Sequence, residues 1–412
     1  MQFVKSKKVV IFIIVAFILA VVLLYIKYAY NIPQSGVAPG KVVNLVSTPG
    51  SAQKMEPVDY EIVEFARGLD TPWSMVFTSS NRMLVSERPG NIREIVDGEL
   101  NPSPLVQLPE VVEIAESGLM GITIHPNYVS NKYVYVCLTY ETGSGLADKV
   151  ERFIDDGDSL VRDRVILDSF PAARFHAGCR IKFGPDGKLY VTTGDATVRD
   201  NAQNLSSLAG KILRMNDDGS LPSDNPFGTL VWTFGHRNPQ GIAWHLGTGT
   251  LFETEHGPSG GDGPGGGDEI NVIKKGLNYG WPIVSHENSR EGMEDPKLVF
   301  TPAEAPSGAT FYSGEVFPQF KNNFFFTALR GVGLFRVVLN DDNPEEIISY
   351  EKLDINFGRI RDVIEGPDGL IYFSTSNRDG RGNVREGDDK IYRFDQLMKD
   401  FTSRVRNCDY FV

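Results

Sequence analysis

Short apolar runs closed by Gly, Pro and Asp turns, a turn-and-strand unit that recurs at a fixed distance, and one unbroken apolar stretch near the N-terminus predict an all-β fold: a six-bladed β-propeller preceded by an N-terminal transmembrane helix. Residues 1–30 read as a membrane anchor, 31–59 as a Pro/Gly-containing linker, 60–396 as the propeller and 397–412 as a C-terminal tail. At 41% hydrophobic, the 412-residue chain is too apolar for disorder and long enough to bury a large core. Its 41 basic against 53 acidic residues leave a net charge of −12. That balance argues against a nucleic-acid partner, which asks for a basic surface to offset phosphate. Three cysteines (Cys137, Cys179, Cys408) are too few for a disulfide framework.

Val9 to Ile26 is an uninterrupted run of eighteen apolar or aromatic residues, with Lys5, Lys7 and Lys8 upstream. At ~1.5 Å per residue the run and its flanks can cross a ~30 Å hydrocarbon core. The lysines favour a cytoplasmic N-terminus, so the rest of the chain is expected on the extracytoplasmic side of the cell membrane. A cleaved signal peptide is the rival reading, but its apolar region is usually about 7–15 residues and ends at a small-x-small site. Here the run ends in Ile26-Lys27-Tyr28. Pro33, Gly36, Pro39, Gly40, Pro49, Gly50 and Pro57 mark the linker that follows.

Beyond residue 60 helical periodicity gives way to turn-bounded strands. Met83-Leu84-Val85 lies between Asn81 and Pro89-Gly90, and Tyr133 to Tyr140 is strand-like. Gly184-Pro185-Asp186-Gly187 leads into Leu189–Thr193, and Gly366-Pro367-Asp368-Gly369 repeats that pattern 366 − 184 = 182 residues later. Further strands are expected around 242–253, 324–329 and 334–339. Pro fixes φ, Asp caps the turn and Gly permits the left-handed step, so these units are turns with a mechanism. An offset of 182 is three units of about 61, and about 350 residues hold six, the size of four-stranded blades. A β-sandwich pair is the alternative. In a propeller, functional side chains come from loops near the central channel. The chemistry-bearing residues do cluster there: His176, Asp195, His236–Gly241, Glu255–Pro258, and a stretch of seven glycines in the eleven residues 257–267. Arg359 and Arg361 frame Ile360 and share one side of an extended chain.

Gly68–Trp73, Ser86-Glu87-Arg88-Pro89-Gly90, His176-Ala177-Gly178-Cys179-Arg180, Gly194-Asp195, Gly235–Gly241, Asp268-Glu269-Ile270-Asn271, Asn278-Tyr279-Gly280-Trp281-Pro282 and Arg359-Ile360-Arg361-Asp362 occur in that order. Through these motifs, from about Gly68 to Arg393, the chain resembles the propeller-type quinoprotein sugar dehydrogenases. This is the glucose/sorbosone and aldose dehydrogenase family, which uses pyrroloquinoline quinone (PQQ). The resemblance implies oxidation of aldose sugars at C1 to lactones, with electrons passed to an external acceptor that the sequence does not name. It implies His176 as the base, Asp195 as the carboxylate that orients it, and Arg237 as the contact to the reactive quinone oxygen, with Asn238 beside it. Arg330, Arg359 and Arg361 are further implied cofactor contacts, since a tricarboxylate wants cations, and Glu116 and His256 complete the implied set. Gly257 and Pro258 match the backbone pair that holds calcium against the cofactor, and Glu269 and Tyr279 imply a second, structural Ca²⁺, the Tyr through its carbonyl.

Each role has a plainer alternative: a structural hydrogen bond for His176, a turn cap for Asp195, surface ion pairs for the arginines, turn packing for Glu269 and Tyr279. Asn204, near Gln203, is a pocket candidate or a loop cap. Three departures stand out. Phe175 replaces an Asp just before the base, Glu116 stands where glucose-specialised members have Gln, and Cys179 is a buried hydrophobe or an oxidisable thiol. With the long Gly-rich stretch, they point to broad or altered sugar specificity. Two other functions compete: a non-enzymatic propeller binding carbohydrate or acting as a receptor, and a calcium-dependent propeller hydrolase such as a lactonase. The second would want several carboxylate or amide ligands converging on the axis; the basic set fits an anionic cofactor better.

Overall fold

The computed structural model describes residues 58–397. Six antiparallel sheets follow one another along the chain, each a meander of four strands, the first with a short fifth strand added. Their innermost strands are Pro72–Phe77 (blade I), Leu119–Ile124 (II), Gly178–Phe183 (III), Pro239–Trp244 (IV), Pro306–Phe311 (V) and Ile360–Glu365 (VI). Blade VI is completed by the first strand among the described residues, Tyr60–Arg67, which pairs with Lys390–Gln396 so that Tyr60 lies opposite Gln396 and Arg67 opposite Lys390. This pairing joins the two ends of the fold and closes the ring.

The two Pro-Asp-Gly turns occupy equivalent places three blades apart. In blade III Gly184 N–H bonds Lys188 O (2.9 Å), and in blade VI Gly366 N–H bonds Leu370 O (2.8 Å). In each, the Asp side chain accepts from the backbone two residues on and from the hydroxyl of a Tyr four residues on. The segment around 242–253 is not one strand but two, ending at Trp244 and restarting at Leu251, because His245 N–H closes a turn onto Thr250 O. The apolar run Val9–Ile26 and the tail beyond residue 397 lie outside the described residues. Among the described residues no helix is long and apolar enough to cross a membrane.

Three cysteines are too few for a framework but enough for one bridge. Cys137 and Cys179 form a disulfide between blades II and III. A separation of 42 residues is bridged because neighbouring blades bring the two positions together, which residue spacing alone does not reveal. Cys179 is therefore not a free thiol.

All six innermost strands share one irregularity. Each shifts register against its neighbour near its first residue: between Pro72 and Ser74, Leu119 and Ile122, Gly178 and Ile181, Pro239 and Gly241, Pro306 and Ala309, and Ile360 and Asp362. Bulges re-aim side chains and end pairing, so one end of the channel is ringed by backbone and side chains turned toward the axis. Deeper in, the strands approach so closely that a Cβ on Gly241 would stand 2.2 Å from Ser307 O.

On the axis, Arg180 is fully buried. Its guanidinium donates to Asp362 Oδ1 (3.0 Å) in blade VI, Ser74 Oγ (3.0 Å) in blade I and Gln240 O (2.9 Å) in blade IV, and it lies over the Trp73 ring. The other Asp362 oxygen accepts Met75 N–H (2.9 Å). Two residues along the same strand, Lys182 reaches Ala309 O (2.8 Å) in blade V. One strand of blade III thus ties four other blades. Asp362→Ala leaves Arg180 buried without its counter-charge, and we expect a loss of about 3–5 kcal/mol in denaturant unfolding; a loss below about 1 kcal/mol would remove the pair from this role.

Candidate active site

Two chambers open at the bulged end of the channel. One, of ≈470 Å³, is walled by His176, Asp195, Arg199, Arg237, Asp262 and Phe175. The other, of ≈280 Å³, contains Arg88, Arg330, Arg359, Arg361 and Arg381. Glu116, Ser259 and Arg381 border both. A larger cavity of ≈810 Å³ at the opposite end is lined by strand ends such as Phe77, Ile124, Phe183 and Phe311, without a comparable set of convergent charged groups.

His176 and Asp195 meet because the first two strands of blade III run side by side, with Gly178 opposite Thr193. The fit depends on Gly194, where a Cβ would fall 1.9 Å from His176 O. His176 Nδ1 lies 2.8 Å from Asp195 Oδ1. Asp195 is fully buried; it also accepts Thr197 N–H (2.7 Å) and Trp281 Nε1–H (2.8 Å). A carboxylate with those donors accepts the imidazole proton at Nδ1, so the lone pair sits at Nε2. Nε2 has no protein partner among the described residues, and His176 lines the larger chamber. This geometry provides a positioned base.

Glu116 accepts His176 N–H (3.1 Å) and Asn238 Nδ2–H (3.3 Å). Burial alone would raise its carboxyl, but His256, the His176 N–H, the His176 ring and Arg381 outweigh that and hold it below the ordinary carboxylate range. Arg237 is buried; Nε donates to Asp262 (2.7 Å), Nη1 to His256 O (3.0 Å), and the guanidinium lies over Trp281. Asn238 Oδ1 accepts from Gly178 N–H and Gln240, so it also fixes the segment after the base. Burial lowers the His256 pKa against the opposing pull of Asp268 and Glu116. Its Nε2–H donates to Pro306 O (2.8 Å).

In the arginine chamber Arg359 pairs with Asp379 (2.7 Å) and Arg88 with Glu113 (2.9 Å). Arg330 makes no side-chain bond among the described residues. Arg361 is 4% exposed, with only neutral acceptors at 3.4 Å (Gln240 Oε1, Ser307 Oγ) and a buried Nε without a partner. Burial pulls its pKa down to about 9; Asp379 opposes this, while Arg359, Arg88 and Arg180 add to it. A buried cation pressed by other cations is a demand for an anionic ligand.

Behind the His256 loop, register places Glu253 opposite Asn271 and Glu255 opposite Glu269 on one face of blade IV. Glu253 Oε1 and Asn271 Oδ1 are buried without partners. Desolvation, with Glu255 adding to it, pushes the Glu253 and Glu269 carboxyls well up. His236 is no free ligand, since Nδ1 meets Glu255 (2.8 Å) and Nε2 meets Thr233 (2.9 Å). Tyr279 bonds Val272 O and Lys274 N–H through its hydroxyl, which leaves its carbonyl as the oxygen for another partner. Glu269, Tyr279, Gly257 and Pro258 border one small cavity. An oxygen-rich, carboxylate-heavy donor set with orphan acceptors fits a hard divalent cation.

The model of the Glucose / Sorbosone dehydrogenase family matches residues 69–406. The chain belongs to that family. It is 31% identical to the aldose sugar dehydrogenase YliI of Escherichia coli over 338 residues, covering 76% of this chain and 89% of that one. It is 26% identical to quinoprotein glucose dehydrogenase B of Acinetobacter calcoaceticus over 444 residues, covering 84% and 90%. The structure of the PQQ-bound aldose sugar dehydrogenase of Streptomyces coelicolor matches with a TM-score of 0.73 and 32% identity, covering 82% of this chain and 99% of that one.

Within this member of the glucose/sorbosone dehydrogenase family, His176, Asp195, Arg237 and Glu116 share one chamber; Arg330, Arg359, Arg361, His256, Gly257 and Pro258 line the other. Asn238 buttresses the wall between base and Glu116, and Glu269 and Tyr279 stand behind it. Asn204 is exposed and caps its own loop through Ser206 N–H (3.0 Å), so it does not belong to the pocket. Arg381, Asp262 and the Trp281 support of Asp195 escaped the sequence reading. Their signals were a glycine-flanked arginine after a strand, an acid inside the Gly-rich stretch, and the Trp of a motif already noted.

Because an anion favours the charged form of Arg361, a carboxylate ligand raises its pKa on binding and takes up a proton above pH 9. Affinity for PQQ should therefore fall as pH rises from 8 through 9 to 10 in a fluorescence titration, and Arg361→Ala should flatten the slope. A wild-type affinity constant across that range would contradict the assignment.

Proposed function

We propose that the chain is a PQQ-dependent aldose dehydrogenase that oxidises the C1 hydroxyl of sugars to the lactone and delivers electrons to an external acceptor. The observation that carries this reading is the pairing of an oriented base with an adjoining cationic chamber whose buried Arg361 lacks a carboxylate. PQQ, when bound, supplies the two-electron acceptor that no amino-acid side chain provides. Arg330, Arg359 and Arg361, with Arg88 and Arg381, would hold its carboxylates, and His256 would add a polar contact; Asn238, expected as a contact, is fully buried and bonded to Glu116, Gly178 and Gln240, so it supports the wall instead. His176 takes the C1 hydroxyl proton at Nε2 while Asp195 stabilises the imidazolium that results. Arg237, which lines the His176 chamber, would supply positive charge toward the bound cofactor. Phe175 at the chamber wall offers no hydrogen bond to a sugar hydroxyl, which favours a broad aldose range over a glucose specialist.

Calcium is the cation we assign to the Gly257–Pro258 carbonyls and to the acid cluster with the Tyr279 carbonyl. We further propose that the propeller works outside the cytoplasm, held by the apolar run Val9–Ile26. The Cys137–Cys179 disulfide supports this reading, since such bonds persist in oxidising compartments.

Added PQQ and Ca²⁺ should confer aldose-dependent dye reduction on the full chain. His176→Ala should lower kcat by about 10²–10⁴ with PQQ affinity retained; unchanged turnover would remove His176 from its role. Stripping divalent cations with a chelator should lower the melting temperature, with Ca²⁺ restoring it. An identical melt in chelator would rule out a structural ion at the acid cluster.

A further inference from the structure

The segment that carries the base is held in a conformation its sequence does not favour. His176, Gly178 and Cys179 have left-handed backbone angles, with φ of 58°, 68° and 67°. Glycine adopts such angles freely, whereas other residues there are strained unless their surroundings impose it. Gly178 needs no explanation, and His176 is fixed by hydrogen bonds to its N–H and ring. At Cys179 glycine would relieve the strain, so what the cysteine adds is its sulfur.

That sulfur is bonded to Cys137, and both residues are fully buried. Cys137 lies on the second strand of blade II, Tyr133–Thr142, and Cys179 on the first strand of blade III, three residues beyond the base. The two blades also touch through backbone, since a Cβ on Gly121 of blade II would stand 2.4 Å from Cys179 O. On the other side of the base, Glu116 leads into blade II and receives His176 N–H. The spacing of blades II and III therefore sets where the base stands relative to the wall shared by the two chambers.

We infer that the Cys137–Cys179 disulfide is a positioning device for the base. It presses the left-handed His176–Cys179 segment against blade II and keeps Nε2 of His176 aimed into its chamber. Without the bond, Cys179 is free to relax and the segment shifts, a displacement of the kind that costs about tenfold to a hundredfold in rate. This rests on the dehydrogenase reading, so its test includes a measurement independent of turnover.

The experiment compares the full wild-type chain with Cys137→Ala, which keeps the strained Cys179, and Cys179→Gly, which removes strain and bond together. Peptide mass mapping of the wild type establishes the bridge; free thiols at both positions would overturn the inference. Both variants should lose about tenfold or more in kcat, with aldose KM and PQQ affinity within about threefold of wild type. Amide exchange in residues 176–180 should quicken in both. Wild-type kcat together with unchanged exchange, even at a lower melting temperature, would reduce the bridge to a staple of the fold. If the wild type shows no aldose turnover, the functional reading fails, and the exchange comparison still decides the positioning claim.

Discussion

The ion pair between Arg180 and Asp362 is the constraint on which the rest of this propeller depends. It joins blade III to blade VI across the axis, and further donors and acceptors of the pair reach blades I and IV. Burial pulls the Arg180 pKa down, and Asp362 is the group that opposes it. The two partners also belong to two motifs that line the candidate site. Arg180 follows His176 by four residues on the same segment, and Asp362 follows Arg361 directly. This contact across the axis therefore fixes the His176 segment and Arg361 in one frame. Rigid strands, and not loops alone, hold the site, as precise chemistry requires.

The bulge shared by all six inner strands explains why the site lies at one end of the channel. It turns consecutive residues, such as Arg361 and Asp362, toward different tasks on the same axis. The resulting electrostatics divide the mouth. One chamber has an imidazole whose proton faces a buried carboxylate, leaving its lone pair inward. The other has arginines whose paired carboxylates make no hydrogen bond to Arg361. Glu116, held ionised, stands between them and bonds to the base segment and to Asn238. Behind this wall the Glu253–Glu255–Glu269 cluster concentrates carboxyl oxygens, and Glu253 Oε1 and Asn271 Oδ1 there have no hydrogen-bond partner among the described residues.

Much of this was legible in the sequence because it repeats or is local. The two Pro-Asp-Gly turns 182 residues apart give the blade size, since each turn is fixed by its own residues. His176, Asp195 and the Arg359–Arg361 pair could be picked out because they flank strands in recognisable motifs. What was not legible depends on contacts between distant blades. The Cys137–Cys179 bridge needs the packing of blades II and III, and the Trp281 bond to Asp195 joins positions 86 residues apart. Arg381 sits in an ordinary-looking turn until the ring brings it beside Glu116. The break at 245–250 was hidden because residues 242–253 are apolar on both sides of a turn that lacks proline.

The central claim is that an anionic quinone and a sugar occupy adjoining chambers that share the Glu116 wall. Crystallographic density for the full chain soaked with PQQ and an aldose tests it most directly. The account predicts the PQQ carboxylates among Arg330, Arg359 and Arg361, with the sugar C1 hydroxyl within hydrogen-bond distance of His176 Nε2. PQQ seated elsewhere, or a sugar bound away from His176, would contradict it.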